Sequence, residues 1–245
     1  VKILILDIET EPHKTYTWGL FNQNIGITQI EEPGRMLCFA AQWYGEREVM
    51  FWSTHHDGRD AMVQSAWALL DEADALVTYN GDKFDIPHLN REFLEAGLLP
   101  PAPYASIDLI KTVRRQFKNA SNKLDWVVQR LGLGAKTSHP GFQLWLDCMA
   151  GLPSAWALMK RYNCQDVRIT SKLYKKLLPW IMSHPNVSLH EGNTSGCKNC
   201  GSFKYTLEGN AYTSMGVFKR MRCKDCGKWR RGNVRIMGAT STDVR

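Results

Sequence analysis

Four consecutive apolar residues, Ile3-Leu4-Ile5-Leu6, run directly into Asp7-Ile8-Glu9. No other stretch limits the fold as strongly. A run this short and this apolar predicts a buried strand. Residues i and i+2 of a strand face the same side, so Asp7 and Glu9 project together, and like charges that close repel. A divalent cation offsets such repulsion, because hard cations take carboxylate oxygens. For a lone D-x-E a solvated strand end is the ordinary alternative. A metal reading therefore requires further ligands elsewhere in the chain.

At 245 residues, 44% of them hydrophobic and 11% aromatic, the chain can build one good core and a small second domain. No stretch approaches the roughly 18 uninterrupted apolar residues of a membrane span. One Lys precedes the first strand, without a small-residue cleavage pattern. The expectation is a cytoplasmic protein with no signal peptide and no membrane partner. The net charge of +7 is unevenly placed. Residues 1–182 hold 20 Lys/Arg and 20 Asp/Glu, whereas residues 183–245 hold 11 Lys/Arg against 4 Asp/Glu, which is the whole excess. A neutral body with a basic tail points to a polyanionic partner such as nucleic acid, with a solubility tail as the competing reading. Cys38, Cys148 and Cys164 are scattered, but Cys197, Cys200, Cys223 and Cys226 form two C-x-x-C pairs. That spacing favours a metal site in a reducing compartment over a secreted disulfide framework.

Strand patterns occupy residues 2–9, 36–45, 47–53 and 75–80. Helical patterns occupy 61–73, 86–97, 106–117, 123–133 and 153–181, with Pro87 in a first turn and Gly97 at a helix end. Three strands followed by helices, one more strand and further helices predict an α/β sheet with helices packed on it, over residues 1–182. Residues 183–196 are rich in Pro, Gly, Asn and Ser and read as a linker to a second domain at 197–245.

Two more acidic elements follow the first. In "YNGDKFDIPHL" a strand ends at Tyr79, a turn follows at Asn80-Gly81, and Asp85 precedes a helix. Alone, Asp85 reads as an N-cap. In "KRYNCQDVRI" Tyr162 and Asp166 are four apart and share one helix face. The ordered set of Asp7, Glu9, Asn80, Phe84, Asp85, Tyr162 and Asp166 resembles the DEDD superfamily of 3′-5′ exonucleases, in the branch with tyrosine in its third motif. The alternative branch has histidine five residues before the last aspartate, and Arg161 stands there. The wording of "YNGDKFDIPHL", and of "NKLDWVVQRLG" with Lys136 just beyond it, is similar to the proofreading domain of family-B DNA polymerases. The resemblance covers about residues 1–180.

It implies an RNase H-like mixed sheet flanked by helices, and phosphodiester hydrolysis with two Mg2+ or Mn2+ about 3.5–4 Å apart. Asp7 touches both metals on this reading, Glu9 and Asp166 hold the one that binds the attacking water, and Asp85 acts on the second through water. Tyr162 orients or deprotonates that water; a phenol with an ordinary pKa near 10 favours orientation by hydrogen bonding unless the metals lower it. Lys136 is a candidate phosphate contact, with a plain surface lysine as the alternative. Glu11 reads as a solvated loop acid, Asp108 as structural, and His88 and His139 as packing or surface residues.

In the C-terminal segment each C-x-x-C suits one side of a tetrahedral Zn2+. Gly201 and Gly227 follow the second cysteine of each pair, where tight knuckle turns require positive φ. Strand patterns at 202–209, 216–223 and 228–236 complete what looks like a zinc ribbon, whose core is too small to stand without metal. With all four positions filled by cysteine the zinc is structural. Lys219, Arg220, Arg222, Arg230 and Arg231, interleaved with aromatic residues, are the nucleic-acid-binding candidates, with Tyr205, Phe218 and Trp229 reading alternatively as the ribbon's own core. Asn80, Phe84 and Lys136 join them near the carboxylates. The expectation is a stand-alone exonuclease on single-stranded DNA, with possible replication or repair proteins as partners. An exoribonuclease, a structure-specific endonuclease and a non-catalytic nucleic-acid-binding scaffold are the alternatives.

Overall fold

The computed structural model describes residues 1–238. Its first apolar run is β1 (Ile3–Thr10), followed by a short pair, β2 (Lys14–Thr15) and β3 (Ile30–Glu32), and then by β4 (Met36–Trp43), β5 (Met50–Ser53), β6 (Ala75–Thr78) and β7 (Ala105–Asp108). Five of these form one sheet in the order β5-β4-β1-β6-β7, so β1 lies at its centre. β1 runs antiparallel to β4 and parallel to β6, which makes the sheet mixed.

Helices α1 (Arg59–Glu72), α2 (Asp85–Glu95), α3 (Leu109–Gln116), α4 (Leu124–Arg130), α5 (Gln143–Met149) and α6 (Pro153–Leu177) complete this part of the chain. Leu4, Leu6 and Ile8 pack on one side of the sheet with Met62, Val63, Ala66 and Leu70 of α1 and with Leu89 and Phe93 of α2. On the other side Leu37 and Cys38 meet Leu144 and Cys148 of α5 and Trp156, Met159 and Tyr162 of α6. A strand covered on both faces needs apolar residues at every position, which is why residues 3–6 show no alternation. Each such buried side chain contributes about 1.5–3 kcal/mol. Odd positions of β1 face α6, so the sequence period delivers Asp7 and Glu9 to that side.

The segment 106–117 read as a single helix. Its start is the strand β7, paired in parallel with β6, and the helix begins only at Leu109. Four residues are too few to register a period of two. The boundary is marked instead by Asp108, whose carboxylate accepts the Ile110 N–H at 3.2 Å as an N-cap.

The chain divides into two compact units, Lys2–Leu173 and a second that begins at Tyr174. Residues 183–196 belong to the second unit and are not a bare tether. They contain α7 (Val187–His190), capped by the Asn186 side chain, which accepts the Leu189 N–H at 3.3 Å. The second unit also holds a three-stranded antiparallel sheet of β8 (Tyr205–Thr213), β9 (Gly216–Cys223) and β10 (Trp229–Gly238), in the order β10-β9-β8. Asn199 Nδ2 donates to Leu178 O at 2.6 Å, and Lys228 Nζ donates to Pro179 O at 3.1 Å and to Ile181 O at 2.9 Å. These bonds satisfy carbonyls at and beyond the end of α6. The last part of the segment read as a ribbon, 239–245, lies outside the described residues. Among the described residues no helix is long and apolar enough to cross a membrane.

Candidate active site

Three elements bring the acidic residues together. β1 supplies Asp7 and Glu9, the start of α2 supplies Asp85, and α6 supplies Tyr162 and Asp166. Asp7, Glu9 and Asp166 each offer a carboxylate oxygen, and these oxygens lie within 4.8 Å of one another. Asp85 is the first residue of α2 rather than its cap. Its Oδ1 accepts the Ile8 N–H at 3.1 Å, so it is fixed directly to the strand between the other two acids. Lys136 Nζ donates to Asp166 Oδ2 and, at 3.2 Å, to the Tyr162 hydroxyl. Lys136 is therefore bonded to two of the motif residues and is not a plain surface lysine.

Burial and crowding raise every carboxyl here. Burial, then the charges of Asp85, Glu9 and Asp166, hold Asp7 well above the usual carboxylate range. Burial, then Asp166, pushes Glu9 up to about 8, with Lys136 opposing. Asp85 is pushed up to about 7, chiefly by burial, against the hydrogen bond from Ile8. Asp166 is raised by burial despite Lys136. One ammonium does not neutralise four acids. Asp166 Oδ1 is also buried without a hydrogen-bond partner among the described residues, an arrangement that costs free energy unless a cation meets it. An all-oxygen set of this kind fits a hard divalent cation. The Tyr162 phenol is likewise raised, by burial first and then by Glu9 and Asp166.

Beside the carboxylates lies a cleft of about 650 Å3, lined by Asp7, Tyr79, Asn80, Arg114, Asn122, Lys123 and Lys136 among others. Asn80 reaches it from a left-handed backbone conformation, φ 71°, held by its N–H to Asp108 Oδ1 at 2.7 Å. Asp108 is thus structural, as its sequence context suggested. Gly81 admits no side chain, because a Cβ there would overlap Thr78. Phe84 is partly exposed and lies 4.7 Å from the His88 ring. Glu11 is half-buried, with its carboxyl raised by burial, so it is not the solvated acid that its loop position suggested.

Sequence reasoning missed Asn163. It is fully buried, and its Nδ2 donates to Asp7 Oδ2 at 2.7 Å and to Asp7 O at 3.2 Å. Its spacing of three from Asp166 on one helix was a usable signal. His139 and Trp145 were not legible in the same way. Their rings lie 4.8 and 6.1 Å from the Tyr162 ring, and Trp145 opposes the rise of the Glu9 carboxyl.

In the second unit Cys197, Cys200, Cys223 and Cys226 converge within 4.8 Å. Sulfur separations of 3.5 and 3.6 Å are close to the edge of about 3.8 Å expected of a tetrahedron with Zn–S near 2.3 Å. The hydrogen bond from Cys226 pulls Cys197 down to about 5, while burial pushes Cys200 up to about 12. The cluster is compatible with Zn2+. Gly201 and Gly227 take φ of 74° and 81°, as the knuckle turns require. Lys219, Arg220, Arg222 and Arg231 are exposed on this sheet, whereas Arg230 is turned inward. Its guanidinium donates to Ser195 O at 2.7 Å, Gly196 O at 2.9 Å and the Tyr205 hydroxyl at 3.1 Å.

Residues 4–178 match the family model described as the RNase H superfamily. Among solved structures, the chain is similar to the family B DNA polymerase from the hyperthermophilic archaeon Pyrobaculum calidifontis. The TM-score is 0.55 at 19% identity, over 73% of this chain and 24% of the polymerase. The match therefore spans about a quarter of the polymerase's length, and at that identity it is a likeness of fold. No curated protein gives a significant match.

Proposed function

Because this chain belongs to the RNase H superfamily, we propose that it is a metal-dependent 3′-5′ exonuclease of the DEDD type with tyrosine in its third motif. Single-stranded DNA is the favoured substrate. The observation that carries the reading is the convergence of Asp7, Glu9 and Asp166, with Asp85 tied in through Ile8 and Tyr162 tied in through Lys136. Asp7, Glu9, Asp85 and Asp166 would hold two Mg2+ or Mn2+, which when bound supply an activated water and charge stabilisation for the leaving oxygen.

The chain's own groups do the rest. Tyr162 keeps its proton, since burial raises its phenol, and it orients the attacking water by hydrogen bonding rather than deprotonating it. Lys136 offers a donor to a phosphate oxygen and partly offsets the cluster's charge. Asn163 fixes the rotamer of Asp7. Arg114 and Lys123 give the cleft phosphate contacts, while Tyr79 and Asn80 line it beside the bases. In the second unit the four cysteines hold one structural Zn2+, in a ribbon that binds nucleic acid or a replication or repair partner.

The test is digestion of end-labelled single- and double-stranded DNA and RNA with Mg2+ or Mn2+. Stepwise shortening from the 3′ end that requires added metal supports the reading. Internal cuts would make the protein an endonuclease, a preference for RNA would make it an exoribonuclease, and no turnover with tight binding would leave a scaffold.

A further inference from the structure

The basic residues of the ribbon are not equivalent. Strand register places Arg222 opposite Trp229, Arg220 opposite Arg231 and Phe218 opposite Arg235. Alternation puts Phe218, Arg220, Arg222, Trp229 and Arg231 on one face. The ring contacts agree with that assignment. The guanidinium carbons of Arg220 and Arg222 lie 4.8 and 5.6 Å from the Trp229 ring centroid, and that of Arg231 lies 4.1 Å from Phe218. Arg230 belongs to the opposite face, over Tyr205 at 5.3 Å, and its donors are used on backbone carbonyls. Lys228 is buried and bonded to Pro179 and Ile181. Arg220, Arg222 and Arg231 are exposed and have no carboxylate partner among the described residues. Stacking on an aromatic ring pre-orders a guanidinium while leaving N–H donors for a phosphate; Arg220 uses only its Nε, on Glu208 O at 2.9 Å.

We propose that the Phe218–Arg220–Arg222–Trp229–Arg231 face of the ribbon is a binding track for a single-stranded nucleic acid. Guanidiniums take its phosphates, and Trp229, 43% exposed, takes a base. Arg220 and Arg222 are two residues apart on β9, about 7 Å by strand rise, a spacing that suits successive phosphates of an extended strand. A duplex offers this face phosphates but no unstacked base. The proposal rests on the reading of the ribbon as a nucleic-acid module and specifies which face of it binds.

The test uses the full chain in Mg2+-free buffer with zinc retained, and measures binding of labelled oligo(dT), oligo(rU) and a blunt DNA duplex across a salt series. Arg220→Gln, Arg222→Gln and Arg231→Gln are combined in one variant. Lys198→Gln, Lys204→Gln and Lys224→Gln form a control of equal charge elsewhere on the unit. The arginine variant should lose at least tenfold in affinity for single strands, and its slope of log K against log salt should become shallower by about 2, at ~0.7 per lost contact. The lysine variant should lose less than threefold. Equal losses in both variants, no loss in the arginine variant, or tighter binding of the duplex would overturn the proposal. The two single-strand arms decide between DNA and RNA. Should the arginine variant lose zinc, phenylglyoxal modification of the wild type replaces it, with Arg220, Arg222 and Arg231 expected to be protected by oligo(dT). Unchanged modification of all three would also overturn the track. Metal-dependent cleavage is scored separately on short saturating substrate, so failure of the nuclease reading and failure of the track give different results.

Discussion

Glu9→Gln should raise the stability of the protein freed of Mg2+ and Mn2+, and should do so increasingly with pH. Burial and the neighbouring Asp166 hold the Glu9 carboxyl at about 8, against an ordinary 4.5. The folded state therefore binds more protons than the unfolded chain between those values, and stability falls as pH rises through that window. At ~1.4 kcal/mol per pKa unit the loss from Glu9 is on the order of 4–5 kcal/mol by pH 8. Asp85, raised to about 7, adds only part of its own shift, because protonating one carboxyl relieves the others. For a domain of this size ~1 kcal/mol moves Tm by about 2–4 °C, so the wild type should melt about 10 °C lower at pH 8 than at pH 5. Thermal melts by circular dichroism across that range, with zinc content checked, measure the slope. Glu9→Gln should flatten it, and adding Mn2+ to the wild type should lift Tm far more at pH 8 than at pH 5, because metal binding requires the ionised acids. A metal-free wild type whose Tm is level or rising from pH 5 to 8, or a Glu9→Gln slope as steep as wild type, would refute the reasoning.

Asp7→Ala and Asp166→Ala should each abolish cleavage while the far-UV spectrum is retained, and normal Mg2+-dependent turnover by either would remove it from the site. Tyr162→Phe should slow the single-turnover rate by about 10²–10⁴-fold with Mn2+ affinity nearly unchanged. Asn163→Leu removes both bonds that orient Asp7 and should weaken Mn2+ binding, followed by calorimetry, by about 10–100-fold. Lys228→Met leaves the carbonyls of Pro179 and Ile181 unpaired and should destabilise the second unit by about 1–3 kcal/mol, read as faster zinc release to a chelator.

Much of the framework was legible because it rests on local geometry. The period of two put Asp7 and Glu9 on one face of β1. The helical period put Tyr162 and Asp166 on one face of α6. The two C-x-x-C pairs required a four-sulfur cluster, and Gly201 and Gly227 carry the positive φ that such turns need. The covered strand could be inferred because a strand apolar at every position has no solvent side.

Other features depended on which segments meet across the fold. β7 was hidden, since four residues acquire strand character only by pairing with β6. Asn163 entered the site through its contact with Asp7, and Lys136, a candidate already in the sequence, gained its bonds to Asp166 and Tyr162, contacts that no linear spacing from β1 could specify. The basic residues of the ribbon looked alike in the sequence. Strand register turned Arg230 inward onto backbone carbonyls and left Arg220, Arg222 and Arg231 outward on aromatic rings. Charge type and local period are carried by each residue and its near neighbours. Burial, and therefore the raised carboxyls and the choice between a structural and an exposed arginine, comes into being only when distant segments exclude water together.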